Sequence, residues 1–163
     1  MNNSENGKHI YLMHGFIGSG KTTFAMSLAN EKRAIRLTHD EFMALLYGTN
    51  PPADKFPEFY DRITQLIWKL AGELVELSVP VILDFGFWNR RSRDEALEKV
   101  RDMGAQAHIY SMQCDRAVMK KRCLDRTRAG GNGLMIDEPA FENLFKLFEP
   151  LSADEMATVV RTD

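Results

Sequence analysis

The chain has 163 residues, of which 44% are hydrophobic and 27% charged, the balance of an ordinary globular protein rather than of a fibrous or disordered one. Its 21 basic and 23 acidic residues give a formal net charge of −2 at pH 7, which excludes a general electrostatic attraction to nucleic acid or to an anionic membrane surface. This length predicts one domain covering residues 1–163.

The sequence contains no recognisable signal for membrane insertion or export. Residues 1–8 are polar and lack the apolar stretch of a signal peptide, and nowhere do about 18 apolar residues follow one another. The two cysteines, Cys114 and Cys123, lack the spacing of a metal site, and no other Cys or His cluster joins them. We therefore expect a cytoplasmic protein with reduced thiols and no membrane contact.

A glycine-rich loop follows the first predicted strand, Ile10–Met13, and precedes a helix predicted over Thr22–Asn30. The loop, Gly15–Thr23, fits the G-x-x-x-x-G-K-[ST] motif of phosphate-binding loops (P-loops). Its backbone N–H groups and the helix N-terminus attract phosphate oxygens. A chance glycine-rich turn is the alternative, but the strand and helix on either side favour phosphate binding.

Each fixed residue of the motif has a chemical role. Lys21 can reach the β- and γ-phosphates of ATP, and the Thr22 hydroxyl can bind Mg²⁺. The residues predicted to bind ATP in this loop are Gly15, Ile17, Gly18, Ser19, Gly20, Lys21, Thr22 and Thr23.

The following segments alternate between strands and helices. A second strand over residues 34–37 precedes a short helix that stops at Gly48, and residues 49–54 form a turn. A long amphipathic helix is predicted over Glu58–Leu77, and a third strand over Val81–Leu83 ends at Asp84.

The second half of the chain continues the alternation. A helix begins near Ser92, where Ser92 and Glu95 fit a capping box, and it ends at Gly104. A fourth strand over residues 105–112 precedes a basic helix capped by Asp115, which is broken at residues 129–133. A further helix from Asp137 and a last strand over residues 157–160 complete an α/β fold with a parallel sheet.

Two carboxylates follow predicted strands, at the edge of the sheet where ligands bind in open α/β folds. Asp40 can accept the proton of an attacking hydroxyl; alternatively, it only caps a helix starting at Glu41. Asp84 can help to hold Mg²⁺; alternatively, it is a turn residue at the end of its strand. Both are candidates for contact with a phosphate acceptor.

Two clusters of arginines lie close to these segments. Arg122 and Arg126 share one helix face beside a glycine cluster, which suits a lid over the γ-phosphate; a solvated face paired with Asp115 and Asp125 is the alternative. A second cluster beside an aromatic residue could contact the acceptor or a stacked base. Its members are Trp88, Arg90, Arg91 and Arg93, with Trp88, Arg90 and Arg93 as the acceptor candidates. His39 is expected only as a neighbour of Asp40.

With these motifs assembled, the sequence resembles small P-loop kinases of the nucleoside-monophosphate-kinase-like group. It is most similar to bacterial kinases related to zeta toxins, chloramphenicol phosphotransferase and polynucleotide 5′-kinases. The resemblance covers nearly the whole chain and is carried by the loop at residues 15–22, Thr-His-Asp-Glu at 38–41, residues 81–94 and residues 122–128. Of these, residues 81–94 are the most specific for this group.

The resemblance implies a three-layer P-loop fold with a five-stranded sheet in the order 2-3-1-4-5 and a helical lid over about residues 116–137. It also implies that Asp40 is the general base and that Arg122 and Arg126, together with Lys21, act on the phosphates of ATP. One position departs from the pattern: polynucleotide kinases place an Arg three residues after the catalytic Asp, where this chain has Met43. That difference disfavours a nucleic-acid acceptor without excluding it.

These observations predict a kinase that uses ATP and Mg²⁺ to phosphorylate a hydroxyl group of a small molecule, with Asp40 as base. Two alternatives remain at this stage. One is a nucleotide-binding switch with slow ATP hydrolysis, although the Asn-Lys-x-Asp motif of GTPases is absent. The other is a polynucleotide 5′-hydroxyl kinase.

Overall fold

The computed structural model describes residues 8–49, 51–130 and 136–163. Strands and helices alternate along most of the chain, as the sequence predicts. The elements are β1 (His9–His14), α1 (Lys21–Lys32), β2 (Ile35–Leu37), α2 (His39–Tyr47), α3 (Phe56–Glu76), β3 (Val81–Gly86), α4 (Arg90–Asp102), β4 (Gln106–Gln113), α5 (Arg116–Arg128), α6 (Glu138–Phe145) and β5 (Thr158–Arg161).

The five strands form one parallel sheet in the order β2-β3-β1-β4-β5, which confirms the predicted order. The central strand β1 pairs with both β3 and β4, so that Leu12 lies opposite Leu83 on one side and Ile109 on the other. Because all strands run the same way, their carboxyl ends meet at one edge. The P-loop, Asp40 and Asp84 therefore come together there.

Alternate residues of each strand pack into two different cores. Tyr11, Met13 and Ile82 face α1, and Ile10, Leu12 and Leu83 belong to the larger cluster that includes α3 and α4. Helices thus cover both faces of the sheet in three layers. Within the described residues, no helix is long and apolar enough to cross a membrane.

The helix starts differ in part from the predicted ones. Asn89, not Ser92, caps α4: its side chain accepts a hydrogen bond of 2.8 Å from the Ser92 N–H. The predicted capping box is wrong because Glu95 pairs instead with Arg91, at 2.7 Å. The predicted cap at Asp115 is confirmed by its hydrogen bond of 2.8 Å from the Ala117 N–H.

The first residues of helices α6 and α3 are explained by side chains in or next to their first turns. Asp137 caps α6 through a hydrogen bond of 2.8 Å from Ala140 N–H, in agreement with the sequence pattern. Helix α3 begins at Phe56, two residues before the predicted start, with Pro57 in its first turn. Proline is favoured there because the first turn needs no N–H donor.

The segment between α6 and β5 is attached to the start of α4 by a buried ion pair. Arg93 is 1% exposed, and its guanidinium donates to both carboxylate oxygens of Glu155, at 2.5 and 2.9 Å. The same guanidinium donates to the carbonyls of Phe87 and Glu149 at 3.0 and 3.3 Å. Arg93 therefore joins the loop after β3 to the approach of β5.

We expect Glu155→Gln to lower the free energy of unfolding by about 3 kcal/mol, because it leaves the buried Arg93 charge without its counter-ion. Arg93 holds the pKa of the Glu155 carboxyl below its usual 4.5. The contribution is therefore fully present above pH 4.5 and is lost as the pH falls through the lowered pKa of the folded state.

Urea denaturation at several pH values checks this prediction. Asp154→Asn is the matched control, because Asp154 pairs with Arg90 at the surface, and such pairs contribute at most about 1 kcal/mol. Equal losses in the two variants would show that burial of the Arg93–Glu155 pair is energetically unimportant.

Candidate active site

The P-loop connects β1 to α1, and neighbouring atoms leave no space for side chains at two of its glycines. Gly18 has φ +80°, and a Cβ there would collide with the Met119 carbonyl of α5. A Cβ at Gly15 would lie 2.6 Å from Ser19 Oγ, closer than non-bonded atoms approach. Only glycine permits the loop to curl this tightly between β1 and α5.

Ser19 marks the inside of this loop. Its side chain is fully buried, yet Ser19 Oγ has no hydrogen-bond partner among the described residues. A buried hydroxyl without a partner is costly unless a ligand completes it. Its backbone is fixed on both sides, since its N–H donates to Phe16 O and its carbonyl accepts from Thr162 Oγ1, at 3.2 and 2.7 Å. The loop thus fits a phosphate-bearing ligand.

Lys21 lies at the first position of α1 and is buried beside two carboxylates. Its Nζ donates a hydrogen bond of 2.9 Å to Phe16 O, within the P-loop. Burial lowers the pKa of Lys21 to about 8; the charges of Asp84 and Asp40 act against this, and that of Arg126 adds to it. Lys21 therefore brings one positive charge close to both predicted carboxylates.

Asp84 is a buried carboxylate of the site that has both hydrogen-bond donors and positive charges around it. Its side chain is 3% exposed and accepts hydrogen bonds from Arg36 Nη1, at 3.0 Å, and from the Thr22 hydroxyl. Burial raises the pKa of Asp84, while the charges of Lys21 and Arg36 oppose that rise. Strand β3 continues to Gly86, so the alternative of a strand-end turn residue is wrong.

Thr22 and Asp84 are the predicted donor set for a metal ion. Among residues 8–49, 51–130 and 136–163, no group of three His, Cys, Asp or Glu side chains converges as a metal site. Mg²⁺ characteristically uses one or two protein ligands together with phosphate oxygens and water. A hydroxyl and a carboxylate beside a P-loop fit that requirement.

Asp40 does not act as a helix cap. Helix α2 begins at His39 after Thr38, so the predicted helix start at Glu41 is wrong. The Asp40 side chain is exposed, and its charge acts on two groups from different layers: it opposes the fall in the pKa of Lys21 and contributes to the rise in the pKa of Tyr60. Asp40 is therefore close enough to both Lys21 and Tyr60 for its charge to act on them.

Three aromatic residues, which we call the aromatic trio, lie next to the two carboxylates. His39 precedes Asp40, Phe85 follows Asp84, and Tyr60 comes from α3. The His39 ring stacks on Tyr60 with 3.9 Å between centroids and an interplanar angle of 5°, and it meets Phe85 edge-on at 4.4 Å. Sequence reasoning placed His39 near the site but missed Tyr60 and Phe85.

The trio is uncharged at neutral pH. Burial lowers the pKa of His39 to about 4. Thr64 Oγ1 donates to the Tyr60 carbonyl, at 2.9 Å, so it accepts the hydrogen bond of 2.7 Å from His39 Nε2. The pKa of Tyr60 is raised, mainly by burial. The trio itself is therefore an uncharged aromatic group close to Asp40.

The two predicted lid arginines have different surroundings. Arg122 donates to the Thr162 carbonyl at 2.7 Å and to Cys114 Sγ at 3.4 Å. Arg126 is the one whose charge acts on Lys21. The alternative of a paired basic face applies to their neighbours, because it is Lys121 and Arg128 that pair with Asp125.

The predicted lid, residues 116–137, is described only in part, since residues 131–135 of the glycine cluster lie outside the described residues. Thr127 Oγ1 lies 3.1 Å from both the N–H and the carbonyl of Ile136, so this side chain joins the two described parts of the predicted lid. Lys120 of α5 reaches Glu142 of α6 at 3.0 Å. The lid remains a prediction.

The arginines of the second basic cluster pair with carboxylates within the fold. Arg93 is occupied by its buried pair with Glu155, and Arg90 pairs with Asp94 and Asp154, at 2.8 and 3.0 Å. Trp88 donates its indole N–H to Gly15 O at 3.2 Å and packs on Phe16. These partners within the fold disfavour the acceptor role predicted for Trp88, Arg90 and Arg93, which stays a prediction.

The site also includes a residue that the sequence analysis missed. Arg36 of β2 joins Asp84 to Glu41 of α2 by ion pairs with both. A charged residue between two apolar ones in the strand Ile35–Leu37 was the available signal, since a strand charge near a sheet interior needs a partner.

Comparisons with known proteins agree with this geometry. A model of the family described as "AAA domain" matches residues 10–151. A search of curated proteins found no match. Among solved structures, Chaetomium thermophilum Kti12 in complex with ADP-AlF3 is similar, with a TM-score of 0.73 and 14% identity over 94% of this chain and 89% of that chain.

Two further solved structures share the fold. A chain of the Pnkp1/Rnl/Hen1 RNA repair complex has a TM-score of 0.73 and 22% identity, and the match covers 90% of this chain and 45% of that one. A sugar kinase from Janibacter sp. HTCC2649 has a TM-score of 0.60 and 20% identity over 94% and 84% of the two chains.

The sheet order and the P-loop define the class: this is a protein with the P-loop kinase-like fold. Within that class, the chain belongs to the family described as "AAA domain".

We expect ATP to bind more weakly as the pH rises above 8, with a dissociation constant about tenfold higher at pH 9.5 than at pH 8, because Lys21 loses its proton with a pKa of about 8. Equilibrium titration of ATP over this range checks the prediction. Lys21→Arg is the control, since the guanidinium keeps its proton and should give a flat profile. A flat wild-type profile would contradict a phosphate-binding role for the Lys21 charge.

Proposed function

We propose that the protein is a magnesium-dependent kinase that transfers the γ-phosphate of ATP to a hydroxyl group of a small molecule. The observation that carries the proposal is the place of Asp40, whose charge acts on both Lys21 of the P-loop and Tyr60 of the aromatic trio. A base in that place would have the phosphate donor on one side and the aromatic trio on the other. Phosphoryl transfer requires little more than such positioning and charge stabilisation.

The P-loop and α1 would hold the donor. Its N–H groups and the Ser19 hydroxyl bind phosphate oxygens, and Lys21 moves from Phe16 O to the β- and γ-phosphates. Thr22 and Asp84 would hold Mg²⁺, which neutralises charge on the β- and γ-phosphate oxygens when bound. Backbone contacts from Ile17 and Thr23 complete the predicted nucleotide site.

The acceptor would lie on the α2–α3 side of Asp40. There Asp40 accepts the proton of the attacking hydroxyl, and the aromatic trio forms the adjoining wall. Arg126 would reach the γ-phosphate as it carries developing charge, because among the described residues no carboxylate pairs with it. Arg122 would support the nucleotide from its position on the Thr162 carbonyl.

The structure bears on the polynucleotide 5′-kinase alternative. Met43, which stands where those enzymes have an acceptor-binding Arg, is 7% exposed and packs in the larger core cluster. A cation cannot occupy that place without being buried in apolar surroundings. This burial supports a small-molecule acceptor over a nucleic acid.

We expect Asp40→Asn to lower kcat about 10²–10⁴-fold, because the acceptor hydroxyl loses its base. The dissociation constant of ATP should stay within about twofold, since Asp40 contacts no phosphate in the proposed arrangement. Steady-state kinetics and nucleotide titration check the two values.

Asp61→Asn is the matched control for this experiment. Asp61 is an exposed carboxylate whose charge also acts on Tyr60, and it has no proposed role in proton transfer. A loss of activity as large in Asp61→Asn as in Asp40→Asn would attribute the effect to lost negative charge rather than to a base.

We expect Arg126→Ala to lower kcat by about 10²-fold or more, because transition-state charge on the γ-phosphate loses a guanidinium. Arg128→Ala, two residues along the same helix and paired with Asp125 at 3.4 Å, should retain activity. Single-turnover phosphate transfer measures both variants. Full activity of Arg126→Ala would remove Arg126 from the chemical step.

The proposal as a whole is tested by transfer of labelled γ-phosphate to a panel of sugars, nucleosides, aminoglycosides, phenicols and 5′-hydroxyl oligonucleotides. A labelled product that disappears in Lys21→Ala and Asp40→Asn supports the kinase. ATP binding with only slow hydrolysis, whatever acceptor is added, would instead favour a nucleotide-dependent switch.

A further inference from the structure

The cations around the acceptor side of Asp40 are already neutralised by carboxylates of the fold. Arg36 pairs with Asp84 and Glu41, and Arg93 is buried against Glu155. At the start of α3, Arg62 pairs with Glu58 at 2.6 Å. An anionic acceptor group would have to displace one of these carboxylates to gain a counter-ion, and displacement costs most at buried pairs.

The arginines of the second cluster are also paired with carboxylates. Arg90 pairs with Asp94 and Asp154, and Arg91 pairs with Glu95 at 2.7 Å. Among the described residues, the cations near the site that lack a carboxylate partner are Lys21, Arg122 and Arg126, and all three lie on the P-loop side. Positive charge is thus available on the nucleotide side of Asp40 and not on its other side.

The acceptor side instead presents negative charge and aromatic surface. Asp40 and Asp61 both act on the pKa of Tyr60, so an anion placed beside this ring would be repelled by two carboxylates. Tyr60 is 38% exposed, although its ring stacks on His39. Part of a large planar side chain therefore remains accessible next to the proposed base.

We propose that the acceptor is an uncharged hydroxyl compound with a flat apolar face, such as an aryl glycoside or an aromatic alcohol, and that Tyr60 selects it by stacking. This inference rests on the kinase function proposed above and specifies the substrate class of the same site. It excludes phosphorylated and carboxylated acceptors, because the arginines on the acceptor side of Asp40 are already paired with carboxylates and do not offer a free counter-ion. It assigns Tyr60 to substrate positioning rather than to chemistry.

Matched pairs of acceptors test the charge requirement. Phenyl β-D-glucoside and 4-carboxyphenyl β-D-glucoside differ by a carboxylate and keep the same sugar hydroxyls. Uridine and uridine 3′-monophosphate differ by a phosphate while both keep a free 5′-hydroxyl. Labelled phosphate transfer should favour the uncharged member of each pair by at least about tenfold in kcat/KM, because Asp40 and Asp61 repel an added anion. Transfer that is equal, or faster to the charged member, overturns the inference.

A second comparison tests Tyr60 itself. Phenyl β-D-glucoside should be used better than methyl β-D-glucoside, and Tyr60→Ala should raise KM for the phenyl compound about fivefold with kcat within about twofold. Tyr60→Phe, which keeps the ring, should recover most of that loss. Leu45→Ala, an exposed apolar residue of α2 that is 80% exposed, is the control. Equal KM values in wild type and Tyr60→Ala would contradict stacking.

Binding measured without turnover separates this inference from the kinase proposal. Ligand-observed NMR, with the non-hydrolysable analogue AMP-PNP and Mg²⁺ present, reports binding of each acceptor whether or not phosphate is transferred. Binding of phenyl β-D-glucoside that weakens in Tyr60→Ala supports the inference even if no acceptor is phosphorylated, and such a result overturns the kinase proposal alone. Failure of every uncharged compound to bind, or tighter binding of the charged members, overturns the inference alone if labelled product forms elsewhere in the broader panel.

Discussion

A buried carboxylate that must not remain unpaired connects the parts of this site. Asp84 lies inside β3 with its side chain 3% exposed, where an isolated negative charge would be strongly destabilised. Its partners come from three places: Arg36 from β2, the Thr22 hydroxyl from α1, and the Lys21 charge from the end of the P-loop. The edge strand, the central sheet and the loop are thereby held in one arrangement by a single side chain.

Asp84 is also linked to α2, because its partner Arg36 forms a second ion pair with Glu41 in the first turn of that helix. Asp40 is the preceding residue, so its position depends on the same arginine. Two carboxylates with different roles are in this way placed by one cation. A change at Arg36 would disturb both the proposed metal ligand Asp84 and the proposed base Asp40.

Some features of the fold follow directly from the sequence. The P-loop motif with a strand before it and a helix after it predicts β1 and α1, and the alternation of strands with helices predicts a parallel sheet. The strand order 2-3-1-4-5 came from the family resemblance rather than from any residue pattern. Side-chain caps at Asp115 and Asp137 were readable because they use only near neighbours in the chain.

What the sequence left open depends on contacts between distant residues. Arg90, Arg91 and Arg93 at a helix N-terminus suggested a bound anion, but Asp154 and Glu155, about sixty residues later, and the nearby Asp94 and Glu95 provide the negative charge. The aromatic trio is assembled from α2, α3 and β3, so no local pattern reveals it. Trp88 similarly turned out to support Gly15 of the P-loop. A single sequence shows which charges are present but not which of them already have partners.

The hydrogen bond between Thr162 and Ser19 joins residues 143 positions apart. The loop belongs to the first tenth or so of the chain, but the residue that fixes its carbonyl arrives with β5, the last strand. Such long-range contacts form late in folding, because the chain between them has to be ordered first. The nucleotide site is therefore complete only when the last strand has docked. Ligand affinity consequently provides a check on the integrity of the whole sheet, and a partly folded intermediate that lacks β5 would carry the full motif without a finished binding site.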